Sequence, residues 1–232
     1  MKILSIDTTS MRGSFALSEG ESCISQIQQS KPDTHSAKLL ETIDTLFQQS
    51  NWKLKDIEGV AVAVGPGSFT GLRIGLATAK GIALSLGIPI VGVSSLKSLS
   101  INGSDAEKSI LTLIDARRGE LYAALWKRDG KKISIPTMDE CVLSPEKLVE
   151  EVKSIGTTCY AVGDGALEYH KFLEDELGDT IRIAQGNEVL PMAHNLALVA
   201  LAKFESHEGD DLTMLVPNYV RQSDAEIGFK GK

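Results

Sequence analysis

The sequence predicts an α/β fold made of two similar lobes, each with a mixed β-sheet flanked by helices. Two segments, residues 3–17 and 111–123, share the same order of features. Each has a short apolar strand that ends in aspartate, a turn that contains Arg-Gly, and a second strand. An internal repeat has priority in fold assignment because each copy is one structural unit. Two unrelated hairpins are the alternative interpretation, since turn residues recur for general reasons.

The first lobe is predicted to begin with a three-stranded meander at residues 3–6, 14–17 and 23–28, because polar turns separate short apolar runs. A helix capped by Asp33 or Thr34 follows and continues to about Ser50. Apolar residues recur in it at helical spacing. They are Leu39, Leu40, Ile43, Leu46 and Phe47.

A strand, a loop and a helix come next. Residues 59–64 are wholly apolar and precede a glycine-rich turn, which is typical of a buried parallel strand. The following helix is predicted from about Phe69 to Leu86, because Gly87-Ile88-Pro89 ends it. Residues 90–93 then form another short buried strand.

The second half begins like the first, with strands predicted at residues 110–115 and 120–126. Three helices follow them. One opens at Ser144-Pro145, where serine caps and proline occupies the first helical position. Another covers residues 167–177 and ends at Gly178, and the last covers residues 191–204.

These elements predict where the lobes divide. The chain has 232 residues, which suits one large domain or two small lobes. We expect an N-terminal lobe at residues 1–105 and a C-terminal lobe at residues 106–207. The segment from about 208 to 232 is expected to return to the first lobe.

Composition limits the possible locations of the protein. No apolar run approaches the ~20 residues that a membrane-spanning helix needs. Asp7 stands where a signal peptide would still be apolar. We therefore expect a cytoplasmic protein that makes no membrane contact. Cys23, Cys141 and Cys159 form no paired motif, so we expect buried thiols rather than disulfides or a zinc site.

The net charge of −7 argues against a protein that grips RNA alone, because such proteins usually carry a basic patch. The densest basic cluster, residues 127–132, contains a turn signal and is typical of a hairpin tip. Nucleic acid is therefore not expected as a direct partner.

Two aspartates, Asp7 and Asp115, end strands just before hairpin turns. In ATP-binding proteins with duplicated lobes, such turns hold phosphates. Backbone N–H groups of Thr8, Thr9 or Arg117 could bind anionic oxygens, and the carboxylates could hold hydrated Mg²⁺. The alternative is that each aspartate hydrogen-bonds its own turn.

The loop at residues 65–71 joins a strand to a helix, which is a setting for anion binding. It matches neither G-x-x-x-x-G-K-[ST] nor G-x-G-x-x-G. A tight turn with Ser68 or Thr70 as the helix cap explains it equally well.

The helix after this loop carries Gly71, Gly75, Ala79 and Ala83 at a spacing of four residues. Each interior glycine costs ~1 kcal/mol relative to alanine, so another backbone is expected to approach this face closely. That backbone belongs either to the strands of the same lobe or to another subunit. Our hypothesis is a protein–protein surface on this helix and the one before it. Its predicted residues are His35, Leu39, Gly71, Arg73, Gly75, Ala79 and Lys80.

Sets of catalytic residues are missing. The histidines His35, His170, His194 and His207 form no metal-binding motif, and no G-x-S-x-G elbow occurs. No catalytic residue is therefore predicted.

Several segments of the chain resemble the TsaB family. The most specific is Gly65-Pro66-Gly67-Ser68-Phe69-Thr70-Gly71-Leu72-Arg73. The others are individually weak but occur in the family's order. They are Ile6-Asp7-Thr8-Thr9, His35-Ser36, Ala79-Lys80-Gly81, Val93-Ser94-Ser95-Leu96, residues 114–120 and the closing Pro217-Asn218-Tyr219-Val220-Arg221.

The resemblance implies a duplicated actin-like ATPase fold. It also implies assembly with the catalytic paralogue TsaD and the ATPase TsaE to transfer threonylcarbamoyl to a tRNA adenosine beside the anticodon. The paralogue carries a metal-binding H-x-x-x-H, and Ser95 and Leu99 stand at those positions here. Neither side chain supplies an imidazole, so the metal and the tRNA chemistry are expected on the partner.

Other points stay open at this stage. No tightly bound cofactor is expected, but ADP or ATP could bind at the subunit junction, and the isolated chain could form a homodimer. A nucleotide-dependent ATPase or kinase-like enzyme that uses Asp7 and Asp115 is the alternative function. A metallopeptidase is the third hypothesis, and the missing ligands argue against it.

Overall fold

The computed structural model describes residues 1–10, 12–29, 35–102, 107–129, 132–190 and 192–221. The chain divides into two compact units. The first comprises residues 1–98 and 191–218, and the second comprises residues 99–190 and 219–232.

The first unit contains a five-stranded mixed sheet in the order β3-β2-β1-β4-β5. Its strands are β1 Lys2–Asp7, β2 Ser14–Glu19, β3 Ser22–Gln28, β4 Gly59–Gly65 and β5 Ile90–Ser94. β1 pairs antiparallel with β2 and parallel with β4, in a register that sets Ile3 opposite Ser18 and Gly59. The carboxyl ends of β1 and β4 therefore lie side by side.

Helices cover both faces of this sheet. They are α1 His35–Ser50, α2 Phe69–Leu86 and α7 Ala193–Glu205, which comes late in the chain. A short helix, α3 Ser95–Leu99, directly follows β5. α1 and α2 pack on the face that carries Leu4 and Val60. α7 packs on the opposite face, against Ile3 and Ala61, because successive strand residues point to opposite sides.

The second unit has a five-stranded sheet in the order β10-β9-β6-β7-β8. Its strands are β6 Ser109–Arg117, β7 Glu120–Asp129, β8 Lys132–Leu143, β9 Cys159–Val162 and β10 Ile181–Ile183. Its helices are α4 Pro145–Ile155, α5 Asp164–Glu168 and α6 His170–Leu177. Short 3-10 helices lie at Leu54–Asp56, Gly178–Thr180 and Gly186–Val189.

The two sheets have the same topology. In each, the first strand pairs antiparallel with the second and parallel with the fourth, and the third and fifth strands form the edges. The predicted duplication and the two-lobed actin-like fold are therefore confirmed.

The position of α7 differs from the prediction. Residues 106–207 were expected to form the second lobe, but the chain returns to the first unit at residue 191. The reason is the apolar face of α7, where Leu196, Ala197 and Phe204 fill the back of the first sheet. Sequence spacing predicts this apolar face but not the sheet that it covers.

Other local predictions need correction. The helix expected at residues 167–177 is two helices, because the chain leaves helical geometry at Tyr169. Strand β8 was not predicted. Cys159 is buried, but Cys23 is exposed on edge strand β3. The predicted helix cap at Asp33 or Thr34 lies outside the described residues.

Candidate functional site

Asp7 is held within its own turn. The residue ends β1 with 2% of its surface exposed. Thr9 donates its backbone N–H and its hydroxyl to Asp7 Oδ1, over 2.9 and 2.6 Å. Burial raises the pKa of Asp7, and the bonds from Thr9 offset part of that rise. This geometry agrees with the interpretation that Asp7 bonds its own turn, and phosphate or Mg²⁺ binding by Asp7, Thr8 and Thr9 stays a prediction.

Thr8 connects this turn to helix α2. Its buried hydroxyl donates to the carbonyl oxygen of Gly71 over 2.7 Å. A Cβ placed on Gly71 would overlap the carbonyl oxygen of Thr8, and one on Gly75 would overlap the Thr8 hydroxyl. The hydroxyls of Thr8 and Thr9 are thus both donated inside the chain.

The glycine-rich loop packs against the same turn. Ser68 donates its N–H to the carbonyl of Thr9 over 2.6 Å, and its hydroxyl accepts the N–H of Gly71 at 3.3 Å. Gly65 has φ +113°, and a Cβ on it would lie 2.8 Å from the carbonyl oxygen of Asn218. The loop is therefore a packed turn in which Ser68 caps the helix. This agrees with the tight-turn interpretation of the sequence, which named Ser68 or Thr70 as the cap.

The second unit repeats the aspartate turn. Asp115 Oδ1 accepts the N–H of Arg117 at 2.8 Å, as Asp7 accepts that of Thr9. The N–H of Asp115 in turn donates to Asp164 Oδ1 over 3.1 Å. Desolvation raises the pKa of Asp164, with a smaller contribution from the charge of Asp115, although the residue as a whole is exposed. The carboxyl oxygen Oδ1 of Asp164, unlike the rest of the residue, lies against the backbone N–H of Asp115.

Arginines occupy strained backbone beside Asp115. Arg117 and Arg118 have φ of 60° and 58°, a left-handed conformation that is uncommon for residues other than glycine. Glu120, two residues after Arg118, pairs with Arg221 at 3.0 Å. This contact links the predicted closing motif to the repeat motif of the second unit.

The predicted interface is partly wrong. Leu39, Gly71, Gly75 and Ala79 are buried within the first unit. Gly71 and Gly75 accommodate Thr8 of their own lobe, so the small-residue face of α2 points inward. Contact with the strands of the same lobe was the alternative interpretation. The side chain of His35 lies outside the described residues.

The outward side of α2 is a different row of residues. Arg73 is exposed and stacks over Phe69, with 4.0 Å between the guanidinium carbon and the ring centroid. Leu84 is 72% exposed, and Leu40 of α1 is 62% exposed although its spacing predicted an inward position. Ala77 and Gly81 are also exposed, and Lys80 is half-buried. Of the predicted interface, Arg73 and Lys80 thus remain at the surface.

The sequence interpretation missed Phe69, Ala77 and Gly81, although together with Arg73 they had a detectable signal. Phe69, Arg73, Ala77 and Gly81 recur every four residues, offset by two from the small-residue face. Such a second row lies on the opposite side of a helix. Phe69 in that row and Leu84, three residues after Gly81, are exposed and indicate a surface that another molecule can cover.

Within the described residues, no group of three or more histidine, cysteine, aspartate or glutamate side chains is arranged to hold a metal ion. Ser95 and Leu99, at the positions where the resemblance places histidines in the paralogue, are buried in and around α3. Among the described helices, none is long and apolar enough to cross a membrane.

Known proteins with similar sequences are described as proteins of tRNA threonylcarbamoyl modification. A family model described as TsaD, tRNA N6-adenosine threonylcarbamoyltransferase, matches residues 24–229. The tRNA threonylcarbamoyladenosine biosynthesis protein TsaB of Bacillus subtilis is 31% identical over 97% of this chain and 96% of its own length. The TsaB of Escherichia coli is 31% identical over 100% of both chains.

Solved structures share the fold. A Pseudomonas aeruginosa protein described as similar to peptidase YEAZ matches with a TM-score of 0.79 and 23% identity, over 95% of this chain and 99% of that one. The ROK hexokinase of Thermus thermophilus matches with a TM-score of 0.51 and 11% identity, over 89% and 100%. At these identities the likeness concerns the fold alone.

Proposed function

The chain belongs to the TsaB family of tRNA threonylcarbamoyladenosine biosynthesis proteins, and we propose that it is a non-catalytic subunit that binds and activates a TsaD paralogue. The paralogue would transfer threonylcarbamoyl to the tRNA adenosine, with TsaE as the associated ATPase. In this proposal the present chain contacts tRNA only through the complex, and it acts in the cytoplasm, where tRNA is modified.

The outward face of α2 is the observation that carries the proposal. We define this face as Phe69, Arg73, Ala77, Gly81 and Leu84. A Cβ on Gly81 would meet nothing within 4 Å in the described part of the chain. The helix therefore bears the ~1 kcal/mol cost of this glycine without a packing need of its own lobe. An open glycine between alanine and exposed leucine suits close approach by a partner helix.

The chemistry of the face suits a protein partner. The Phe69–Arg73 stack presents an aromatic ring with a cation, and such residues are enriched where proteins bind each other. Leu84 at the other end of the helix and Leu40 on α1 extend the exposed apolar surface. A second copy of this chain could occupy the same face when the paralogue is absent, which is the homodimer that we propose for the isolated chain.

Two residues of α3 support the proposal that the paralogue, and not this chain, holds the metal and performs the transfer. Serine and leucine at positions 95 and 99 cannot supply the imidazole ligands that the paralogue uses. Both residues are buried, and Leu99 also fills the space beside Gly163. We therefore assign the metal and the transfer step to the paralogue.

An ATPase or kinase-like enzyme is the second candidate. The shared fold with a hexokinase and the buried carboxyl of Asp7 favour it. Against it, Thr8 and Thr9 donate their hydroxyls within the chain, and the loop of residues 65–71 packs on the turn. ATP or ADP at the subunit junction is compatible with either function and is part of our proposal only as a bound nucleotide.

A reconstitution tests the proposed function. Threonylcarbamoyl transfer to tRNA would be measured with the TsaD paralogue and TsaE, in the presence and absence of this chain. We expect transfer only when the chain is present, and no ATP turnover by the chain alone. Full transfer without it would refute the activating role. Hydrolysis of many ATP molecules per isolated chain, lost in Asp7→Ala, would favour the enzyme instead.

A further inference from the structure

A buried hydroxyl contacts the first turn of the helix that carries the proposed interface. Thr8 lies in the turn between β1 and β2 and donates to the carbonyl of Gly71, which is in the first turn of α2. As an interior helical residue, Gly71 already accepts the N–H four residues later. The bond from Thr8 is therefore an additional one that sets where the helix lies.

The glycines of α2 make this contact possible. A side chain on Gly71 would overlap the backbone of Thr8, and one on Gly75 would overlap its hydroxyl. Two interior glycines together cost about 2 kcal/mol of helix propensity relative to alanine. In return, the Thr8 backbone lies close to Gly71 and the Thr8 hydroxyl lies close to Gly75, and a larger residue at either position would prevent this approach.

The contact with Thr8 lies across the helix from the outward face. Residues 71 and 75 point toward Thr8, and residue 73, midway between them, points away from it because each residue turns the helix by about 100°. Arg73 and its ring partner Phe69 occupy this opposite side. A displacement of α2 at Thr8 therefore moves the Phe69–Arg73 stack by the same distance.

The turn itself is firmly held, so it can serve as a reference point. Thr9 is bonded to Asp7, and its carbonyl accepts the N–H of Ser68 over 2.6 Å. The turn and the start of α2 thus form one packed block attached to β1. We infer that Thr8 is a positioning residue, which aligns the outward face of α2 for partner binding without touching the partner. This inference rests on the proposed function of that face.

The decisive variant is Thr8→Val. A methyl carbon cannot approach a carbonyl oxygen closer than about 3.3 Å, whereas the hydroxyl lies at 2.7 Å. The variant therefore loses the bond and pushes the helix outward by roughly half an ångström. We expect a Kd for the TsaD paralogue about tenfold higher, which is roughly 1.4 kcal/mol of binding free energy. Thr8→Ser keeps the hydroxyl and should restore the wild-type Kd.

Thr112→Val is the matched control. Thr112 is a buried threonine of the second unit, and its hydroxyl donates to the carbonyl of Ala124 at 3.2 Å and accepts from Trp126. Its loss should lower the melting temperature without changing the Kd. Binding would be measured by calorimetry and the fold by circular dichroism.

The outcomes separate the two hypotheses. Wild-type affinity in Thr8→Val, or an equal loss of affinity in Thr112→Val, overturns the positioning role while the interface stands. If Thr8→Val does not fold, Thr8→Ala takes its place, and wild-type affinity in that variant overturns the inference. Failure of the wild-type chain to bind the paralogue refutes the proposed function itself.

Discussion

Thr9 donates both its backbone N–H and its hydroxyl to Oδ1 of Asp7, over 2.9 and 2.6 Å. Two donors on one oxygen orient the carboxyl but do not remove the cost of burying its charge, because both donors are neutral. Burial accordingly raises the pKa of Asp7. The folded state therefore disfavours the charged form of the Asp7 carboxyl relative to the neutral acid.

Asp7→Asn should stabilise the protein at neutral pH. The amide oxygen can accept both bonds from Thr9, and no charge is buried. Because the folded pKa of Asp7 is raised above the unfolded value of 3.8, the folded state favours the protonated carboxyl. This stabilising contribution is complete below pH 3.8 and is lost as the pH rises through the folded pKa. The gain in the asparagine variant should therefore be small near pH 4 and larger at pH 7. Urea unfolding of both proteins at several pH values measures it.

The control for this prediction is Asp7→Ala. It leaves two buried donors of Thr9 without an acceptor, which costs about 1–3 kcal/mol for each such group. We expect alanine to destabilise and asparagine to stabilise at pH 7. Equal destabilisation by both substitutions would show that the buried Asp7 carboxylate does not lower the stability of the folded chain.

His194 should make the stability fall in mild acid. The residue lies in the first turn of α7, and its Nδ1 is 2.8 Å from the hydroxyl of Ser18. Burial lowers its pKa from 6.5, and a bond with the backbone of Glu21 offsets part of this. The folded state thus favours the neutral ring, and a positive charge would also face the helix N-terminus. Stability should be full above about pH 6.5 and decrease as the pH falls through the folded pKa.

His194→Gln should flatten this pH dependence between pH 7 and 5. The exposed His170 of α6 provides the comparison, since His170→Gln should keep the wild-type slope. The measurement is the urea midpoint of each protein across this range. An unchanged slope in His194→Gln would mean that other groups cause the acid sensitivity.

The sequence predicted those features that depend on local residues. The strand–aspartate–turn repeat, the Ser68 cap and the Gly87 stop are local, and each is found where expected. The orientation of α2 was not predictable, because a face of glycine and alanine suits either a strand layer or another subunit. The attachment of α7 to the first sheet was missed for the same reason. Both depend on contacts between segments that are far apart in the chain.

Two glycines of α2 should respond oppositely to alanine, because Gly75 faces Thr8 and Gly81 faces open space. Gly75→Ala should destabilise by about 1–3 kcal/mol, although alanine favours helix, because the new Cβ overlaps the Thr8 hydroxyl. Gly81→Ala should instead stabilise by about 1 kcal/mol, since its Cβ enters open space. Thermal unfolding of both variants provides the comparison.

A double substitution identifies Thr8 as the cause. In Thr8→Ala with Gly75→Ala the clashing oxygen is gone, and the remaining contact of 3.4 Å, from the Gly75 Cβ position to the Thr8 Cβ, is an ordinary one. The two changes should therefore be strongly non-additive, as expected for residues in contact. Additive losses would place the strain of Gly75→Ala elsewhere in the first unit.

Leu84→Glu should weaken binding of the TsaD paralogue without lowering the stability of the chain. Leu84 is 72% exposed on the outward face of α2, so glutamate remains hydrated in the free protein. In a complex the same side chain would bury an unpaired charge, which we expect to cost at least about 2 kcal/mol, or roughly 30-fold in Kd. Leu167 provides a matched exposed leucine, 43% exposed on α5 of the second unit. Leu167→Glu should bind normally. If both variants bind like the wild type, the partner does not use the outward face of α2; if both bind poorly, the interface includes the second unit.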